Sequence, residues 1–362
     1  MSKSVSAINK KYGEGTIQSG AEFKEVPPKL LDSGVLSLNL AIGTNGFLGG
    51  RIGMVWGQKS SGKTLLASCF ASRLQKQGLS VAFLDVEGTY DLNFAQKIGV
   101  DPQKLFLVSS KQKRIGKKGE VLPPLCGEEW VDILIELVKS EEYALIILDS
   151  VPAMVPKSKM EAECVDQGKL KAASAQLMAE MLPKINSYIS LSPNCFVFLI
   201  TQERSNPMVT YGSNRKAAGG DAAGFFITYE MYAKKLESIK QRVQITTNKF
   251  IEEEVAIKVK YTIAKNKVAR IGEPAEFIVN LQSGVDIVDD TFSVAKTFGV
   301  IELRGSTFSY KDEKAQGQEK FKEIMYNNDI ILEEIRDECM RKLVNRDETG
   351  FIEVGSNSED DG

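Results

Sequence analysis

The chain has 362 residues, 43% hydrophobic and 26% charged, with 46 basic against 48 acidic side chains and no histidine. That length favours two domains, or one large domain with appendages. The missing imidazole excludes Ser-His-Asp and Cys-His nucleophile systems and nearly all catalytic zinc sites, so any general base must be Asp, Glu or Lys.

The near-zero net charge announces no nucleic-acid partner by itself, and a polyanion would need local basic patches. Five scattered cysteines without a CxxC pair read as reduced thiols. No apolar run approaches the ~20 residues a bilayer needs. Residues 1–12 lack a signal-peptide core, so the chain is expected in the cytoplasm with no membrane partner.

In chain order, Ile52 to Trp56, Val81 to Leu84, Leu105 to Val108, Ala144 to Leu148 and Phe196 to Ile200 are short, continuous apolar runs, the signature of strands buried on both faces of a parallel sheet. Between the first two, Leu66, Ala67, Phe70, Ala71 and Leu74 fall on one helical face. The alternation implies right-handed β-α-β crossovers and a ligand site beyond the carboxyl ends of the strands. Phe225 to Tyr232, Val255 to Thr262 and Ala275 to Asn280 read as longer strands extending the sheet in antiparallel fashion. A smaller unit follows from Val285, with a helix near Thr291 to Phe298, a hairpin around Gly305 and two amphipathic helices. After Arg346 come six acids and no base, an expected disordered tail. The basic run Lys111 to Lys118 reads as a solvated loop, with a nucleic-acid or partner contact as the alternative.

Gly57-Gln58-Lys59-Ser60-Ser61-Gly62-Lys63-Thr64 fits GxxxxGK[ST] between a predicted strand and a predicted helix. Backbone N–H groups of such a loop curl around phosphate oxygens, Lys63 reaches the β- and γ-phosphates, and the Thr64 hydroxyl coordinates Mg²⁺. Asp149 ends an apolar strand, where a carboxylate reaches the metal shell. Glu87, just past another buried strand, is the best general base for the attacking water, although its spacing equally suits a solvated loop acid. Gln202 follows a further strand on the same edge and could sense the γ-phosphate; pattern alone favours an ordinary polar loop there, running through residues 203–218.

With GQKSSGKT, the strings AFLDVEGTYD, LIILDSVPAMVPK, FLITQ, AAGGDAAGFF and AKNKVA stand in the order and at intervals that resemble the bacterial RecA recombinase family. The resemblance covers nearly the whole chain, from INKKYGEGTIQSG to SYKDEKAQGQEKF and the acidic tail. It implies an α/β fold: a RecA-type P-loop ATPase core with a mainly parallel central sheet, a short amino-terminal helix/strand segment and a small α+β carboxyl-terminal domain. The implied boundaries are 1–32 for a segment docking on the next protomer, 33–284 for the core with two DNA-binding loops, 285–345 for the small domain and 346–362 for the tail.

It implies further a helical homo-filament on single-stranded DNA that pairs with homologous double-stranded DNA, with ATP and Mg²⁺ between protomers and DNA-dependent ATP hydrolysis serving recombination and repair. Single-strand-binding and loader proteins are possible partners. By motif, Lys63, Glu87 and Gln202 are catalytic; Asp91 and Phe94 contact adenine, Phe94 standing where the family has tyrosine. Lys265 and Lys267, catalytic as well by this resemblance, match basic residues that reach the neighbouring protomer's nucleotide and stabilise the transferring phosphoryl group. Lys169 and Lys171 of a first loop (157–171) and Arg204, Tyr211, Gly212, Arg215, Lys216, Gly219 and Gly220 of a second (203–220) are expected on DNA.

Four departures stand out. The amino-terminal helix is short, the first loop is about two residues longer, Gly224 replaces a lysine before FF, and residues 111–118 lie in an insertion. They suit a distant or phage-encoded member. The alternative function is a mediator or paralogue that binds ATP and DNA without exchanging strands.

Overall fold

The computed structural model describes residues 3–24, 26–160, 167–205, 215–217, 223–246 and 249–348. Among them, nine strands form a central sheet: β1 Arg51–Gly57, β2 Val81–Asp85, β3 Leu105–Ser109, β4 Leu145–Asp149, β5 Phe196–Ile200, β6 Tyr229–Thr246, β7 Lys249–Asn266, β8 Ala275–Asn280 and β9 Gly284–Val285. Their order is β9-β8-β7-β6-β1-β5-β4-β2-β3. Neighbours from β6 to β3 are parallel, and β7, β8 and β9 are added antiparallel. The main helices are α1 Lys3–Tyr12, α2 Leu36–Ile42, α3 Lys63–Lys76, α4 Leu92–Lys97, α5 Gly127–Lys139, α6 Gln167–Ile189, α7 Ile287–Thr297, α8 Gln318–Tyr326 and α9 Asp329–Glu348. The fold is the expected α/β one, with a mainly parallel sheet and a small α+β unit at the carboxyl end.

Four of the five continuous apolar runs are explained by what covers each face; the fifth, β3, is the edge strand of the sheet and, against expectation, leaves Phe106 half exposed. Alternate residues Val55, Phe83, Ile147 and Phe198 point to one side, where Phe70 and Leu74 of α3 meet them. Met54, Leu84, Ile146 and Val197 point to the other, against Trp130 and Leu134 of α5 and Met181 of α6. Beneath α3, the Phe47 ring lies 4.8 Å from Phe196 and 5.2 Å from both Phe70 and Tyr229. Such aromatic pairs add about 1 kcal/mol each beyond area burial, which fixes α3 firmly on the sheet.

Three expectations need correction. Phe225 and Phe226 belong to a short helical turn, Ala223–Phe226, and the strand begins only at Tyr229. The two strands read around Phe225 to Tyr232 and Val255 to Thr262 are far longer, 18 residues each. Apolar runs mark only the part resting on the core; the remainder is a solvated ribbon held by its own ladder and by cross-strand pairs such as Lys235–Glu254 (2.9 Å) and Lys240–Glu252 (3.5 Å). The carboxyl-terminal helix read near Thr291 to Phe298 starts earlier, at Ile287, because the Asp286 carboxylate caps it by accepting from Asp289 N.

The carboxyl-terminal unit gathers Phe292, Phe308 and Phe321 between α7, α8, α9 and the small sheet of residues 302–304, 307–310 and 313–316. Gly305, at φ +62°, turns its first hairpin. It docks through polar contacts. The Asp290 carboxylate accepts from Leu36 N (2.6 Å) and Ser37 N at the start of α2. Arg73 of α3 grips Asp32 on one side (2.7 Å) and Glu333 of α9 on the other (2.7 and 2.9 Å). Arg336, fully buried, reaches Asp32 at 3.4 Å. No helix among the described residues is long and apolar enough to cross a membrane.

Candidate active site

The loop from Gly57 to Thr64 leaves β1 at its carboxyl end and enters α3, as expected. A Cβ at Gly57 would collide with the Ala233 carbonyl oxygen on the adjacent strand, so only glycine fits. Gly62, at φ +79°, reverses the chain into α3. The Ser61 hydroxyl donates to Gln58 O (2.8 Å) and closes the loop on itself. Lys63 folds back over it, donating from Nζ to Gln58 O (2.7 Å) and Gly57 O (3.2 Å).

Three strand ends face this loop. Thr64 Oγ1 donates to Asp149 Oδ2 at 2.5 Å. Asp85 and Asp149 are register partners at the tips of β2 and β4. The backbone N–H groups of Val86 (2.8 Å) and Glu87 (3.3 Å) donate to Asp149 O, which sets Glu87 over the end of β4, and the Ser150 hydroxyl donates to Glu87 Oε1. Thr201 N donates to Val55 O (2.9 Å), so β5 stays beside β1 up to Gln202, which is half-buried at the same edge. The P-loop residues, Glu87, Asp149 and Gln202 therefore share one edge of the sheet.

The electrostatics of this edge are those of an anion-rich wall around one lysine. Burial lowers the Lys63 pKa, while Asp149, Glu87 and Glu203 push it back up. Burial raises Asp149 to about 6; the Thr64 hydroxyl and Lys63 pull it down, and Glu87 and Asp85 push it up. The Asp149 carboxylate and the Thr64 hydroxyl are hard oxygen donors of the kind Mg²⁺ takes together with phosphate and water; among the described residues no three acidic or thiol side chains gather into a protein-only metal site.

Asp91 and Phe94 lie on α4 beyond the Asp85 turn, and the Asp91 carboxylate accepts from Phe94 N (3.1 Å) as the helix N-cap. Lys265 and Lys267 do not join this edge. Glu230 of β6 is level with both Lys265 and Met54, the middle residue of β1, and Lys267 N donates to Thr228 O, nearer the start of that strand, so the two lysines run away from the loop at its carboxyl end. There they donate to the carbonyl oxygens of Gly224 and Phe225.

Residues that sequence reasoning passed over are Ser150, Glu203 and Asp85. The Asp85 carboxylate is buried and accepts from Thr89 N (3.0 Å), Tyr90 N (3.3 Å) and Ser109 Oγ (2.8 Å), which shapes the turn carrying Glu87. Asp85 ends its apolar strand as Asp149 does, and that parallel was the available signal. Ser150 and Glu203 directly follow Asp149 and Gln202 and carry no signal of their own.

Of the two segments expected on DNA, the first is partly helical: residues 157–160 form a turn and Gln167 opens α6, so Lys169 and Lys171 belong to a helix rather than a loop. In the second, residues 203–205 pair antiparallel with 215–217, making Arg204 the partner of Lys216 and leaving Arg215 opposite Ser205. The aperiodic segment read there is thus rooted in a small ribbon. Tyr211, Gly212, Gly219, Gly220 and the end of the acidic tail lie outside the described residues.

Comparison with known proteins adds sequence evidence. A family model described as the RecA N-terminal domain matches residues 1–286. Protein RecA of Mesoplasma florum is 33% identical over 332 residues, covering 91% of this chain and 92% of the relative. Protein RecA of Thermus aquaticus is 33% identical over 343 residues, with 94% of each covered, and that of Thermus thermophilus 32% over 363 residues, with 100% and 97% covered. Among solved structures, the crystal structure of the RadB recombinase aligns with a TM-score of 0.47 at 18% identity, over 71% of this chain and 98% of that one.

Proposed function

The chain belongs to the RecA family and is a RecA-type recombination protein, and from that premise we propose that it is a DNA-dependent ATPase of the cytoplasm. In this reading it forms a helical filament on single-stranded DNA and catalyses pairing and strand exchange with homologous duplex. The observation that carries the reading is the contact between Thr64 of the phosphate loop and Asp149 of β4, with Glu87 held beside it through Asp149 O.

Each residue has a role in the in-line attack of water on the γ-phosphate. On nucleotide binding, the Lys63 ammonium exchanges the carbonyl oxygens of Gly57 and Gln58 for phosphate oxygens. Thr64 and Asp149 would hold Mg²⁺, which would supply charge neutralisation at the phosphates. Glu87 accepts the proton of the attacking water, with Ser150 orienting its carboxylate. Gln202 hydrogen-bonds the γ-phosphate and couples it to the DNA-facing ribbon that starts at Glu203. Asp91 and Phe94 border the adenine. Lys265 and Lys267, remote from their own loop, serve the nucleotide of an adjacent protomer, where positive charge stabilises the transferring phosphoryl group. Arg204, Arg215, Lys216, Lys169 and Lys171, with Tyr211, Gly212, Gly219 and Gly220, contact DNA along the filament axis.

The test combines ATP hydrolysis with and without single-stranded DNA, micrographs with a slowly hydrolysed ATP analogue, and joint-molecule formation from circular single strands and homologous linear duplex. DNA-stimulated hydrolysis, filaments and joint molecules are expected. Hydrolysis indifferent to DNA would overturn the reading, and filaments without joint molecules would favour the mediator alternative.

A further inference from the structure

The basic insertion is a built element. Residues 110–122 leave the carboxyl end of β3 and fold into a small finger: Ile115 and Val121 bridge antiparallel, Leu122 N donates to Arg114 O (2.9 Å), and Gly116 N donates to Glu120 O (2.8 Å). Its root is anchored twice. Lys111 Nζ donates to Tyr90 O (3.1 Å), and Arg114 donates to Pro123 O (3.2 Å) while pairing with Glu129 at 3.6 Å. The Glu120 carboxylate is turned inward, accepting from Lys118 N (3.0 Å). Lys113, Lys117 and Lys118 stand exposed, and among the described residues their ammonium groups have no hydrogen-bond or ion-pair partner.

The finger's position matters as much as its charge. Ser110 N donates to Asp85 O, so the finger rises from the edge that carries Glu87. A cavity of about 190 Å³ at its foot is lined by Gln112 and Arg114 of the finger together with Val155 and Met160, which lead into the first DNA-facing segment. The paired segments 203–205 and 215–217 follow β5, and β3 lies three strands away, roughly 14 Å along the same edge.

We infer that this finger is a further DNA contact, and that its three free lysines grip the phosphates of a duplex approaching the filament. A short hairpin with a pinned root presents its cations at fixed spacing, which suits the regular phosphate lattice of a duplex better than a flexible single strand. Each phosphate neutralised on duplex also releases more counterion than on a single strand, about 0.9 against 0.7 per contact. The inference rests on the recombinase reading above.

The test compares the native chain with a Lys113→Gln/Lys117→Gln/Lys118→Gln variant and its triple Lys→Arg counterpart. Binding to a duplex and to a single-stranded oligonucleotide is followed by anisotropy across a salt series, with Mg²⁺ and a non-hydrolysable ATP analogue. The glutamine variant should bind duplex about fivefold or more weakly at low salt, with a log–log salt slope smaller by about 2 to 3. Single-strand binding should change less than twofold, and the arginine variant should match the native chain. Unchanged duplex affinity and slope, or a loss as large on single strands as on duplex, would overturn the inference. A native chain that binds neither DNA would instead sink the recombinase reading.

Discussion

Thr64 and Asp149 meet across the mouth of the phosphate loop, the threonine Oγ1 donating to the aspartate Oδ2 at 2.5 Å. One residue opens α3 and the other closes β4, so the contact exists only because both crossovers bring their ends to one sheet edge. The hydroxyl occupies a carboxylate that burial and two neighbouring acids hold at a raised pKa. Asp149→Asn keeps an acceptor for Thr64 but removes the buried charge. Thermal stability without nucleotide should stay equal or rise at neutral pH, while Mg²⁺-dependent binding of an ATP analogue should fall about tenfold or more. Unaltered Mg²⁺ dependence in a titration would remove Asp149 from the metal shell.

Glu87→Gln retains the shape that accepts the Ser150 hydroxyl but cannot take a proton. Steady-state ATP turnover should drop by about tenfold or more, with nucleotide and DNA binding nearly intact. Ser150→Ala, which only frees the carboxylate, should cost less. Unchanged hydrolysis by the glutamine variant would dismiss Glu87 as the base.

Lys265 is level with the middle of β1 and Lys267 with its first half, both away from the loop of their own chain at the strand's carboxyl end. If they act across the protomer interface, a Lys265→Ala/Lys267→Ala variant and the Glu87→Gln variant will each be slow alone, yet a mixture will recover turnover. Some interfaces then combine an intact Glu87 with intact lysines from the next protomer. A mixture no faster than the mean of its parts would return the lysines to a structural role.

Asp32 is the hinge of the contact between core and carboxyl-terminal unit, accepting from Arg73 Nε (2.7 Å), Asn39 Nδ2 (2.6 Å) and Gly34 N (2.8 Å) and pairing with Arg336 at 3.4 Å. Burial alone would raise its pKa, but Arg336 and Arg73 hold it below the usual carboxylate range. Asp32→Ala leaves the wholly buried Arg336 guanidinium short of a counter-ion and should cost about 3–5 kcal/mol in urea unfolding. A loss under about 1 kcal/mol, typical of an exposed pair, would contradict this ranking.

Asp290 titrates in the other direction. Burial raises it to about 6, against the pull of the Ser37 hydrogen bonds, Arg336 and Leu36 N. The folded state therefore binds the proton more tightly than the unfolded state, and this residue's contribution to stability declines as pH rises from about 4 to about 6. Asp290→Asn keeps an acceptor for Leu36 N and cannot ionise. Between pH 4.5 and 7 its stability relative to the native chain should improve, by at most about 3 kcal/mol. Parallel stability curves for the two proteins would show that Asp290 ionises normally.

What the sequence determined by itself was whatever depends on adjacent residues. The strands β1, β2, β4 and β5 were legible because burial on both faces makes each an unbroken apolar run, and the phosphate loop because its eight residues act as one local unit between a strand and a helix. The absence of histidine narrowed the base to carboxylates and lysines, and Glu87 with Ser150 fits that narrowing. The tertiary structure alone settles which separate segments meet: Thr64 with Asp149, Arg73 with Glu333, Lys265 with the Gly224 carbonyl. It alone revealed how far β6 and β7 run past the core as a solvated ribbon, and the finger at 110–122, whose ladder hydrogen bonds are made by backbone atoms that every sequence shares. Apolar periodicity records burial, so solvated elements and contacts between distant chain segments leave little trace in it.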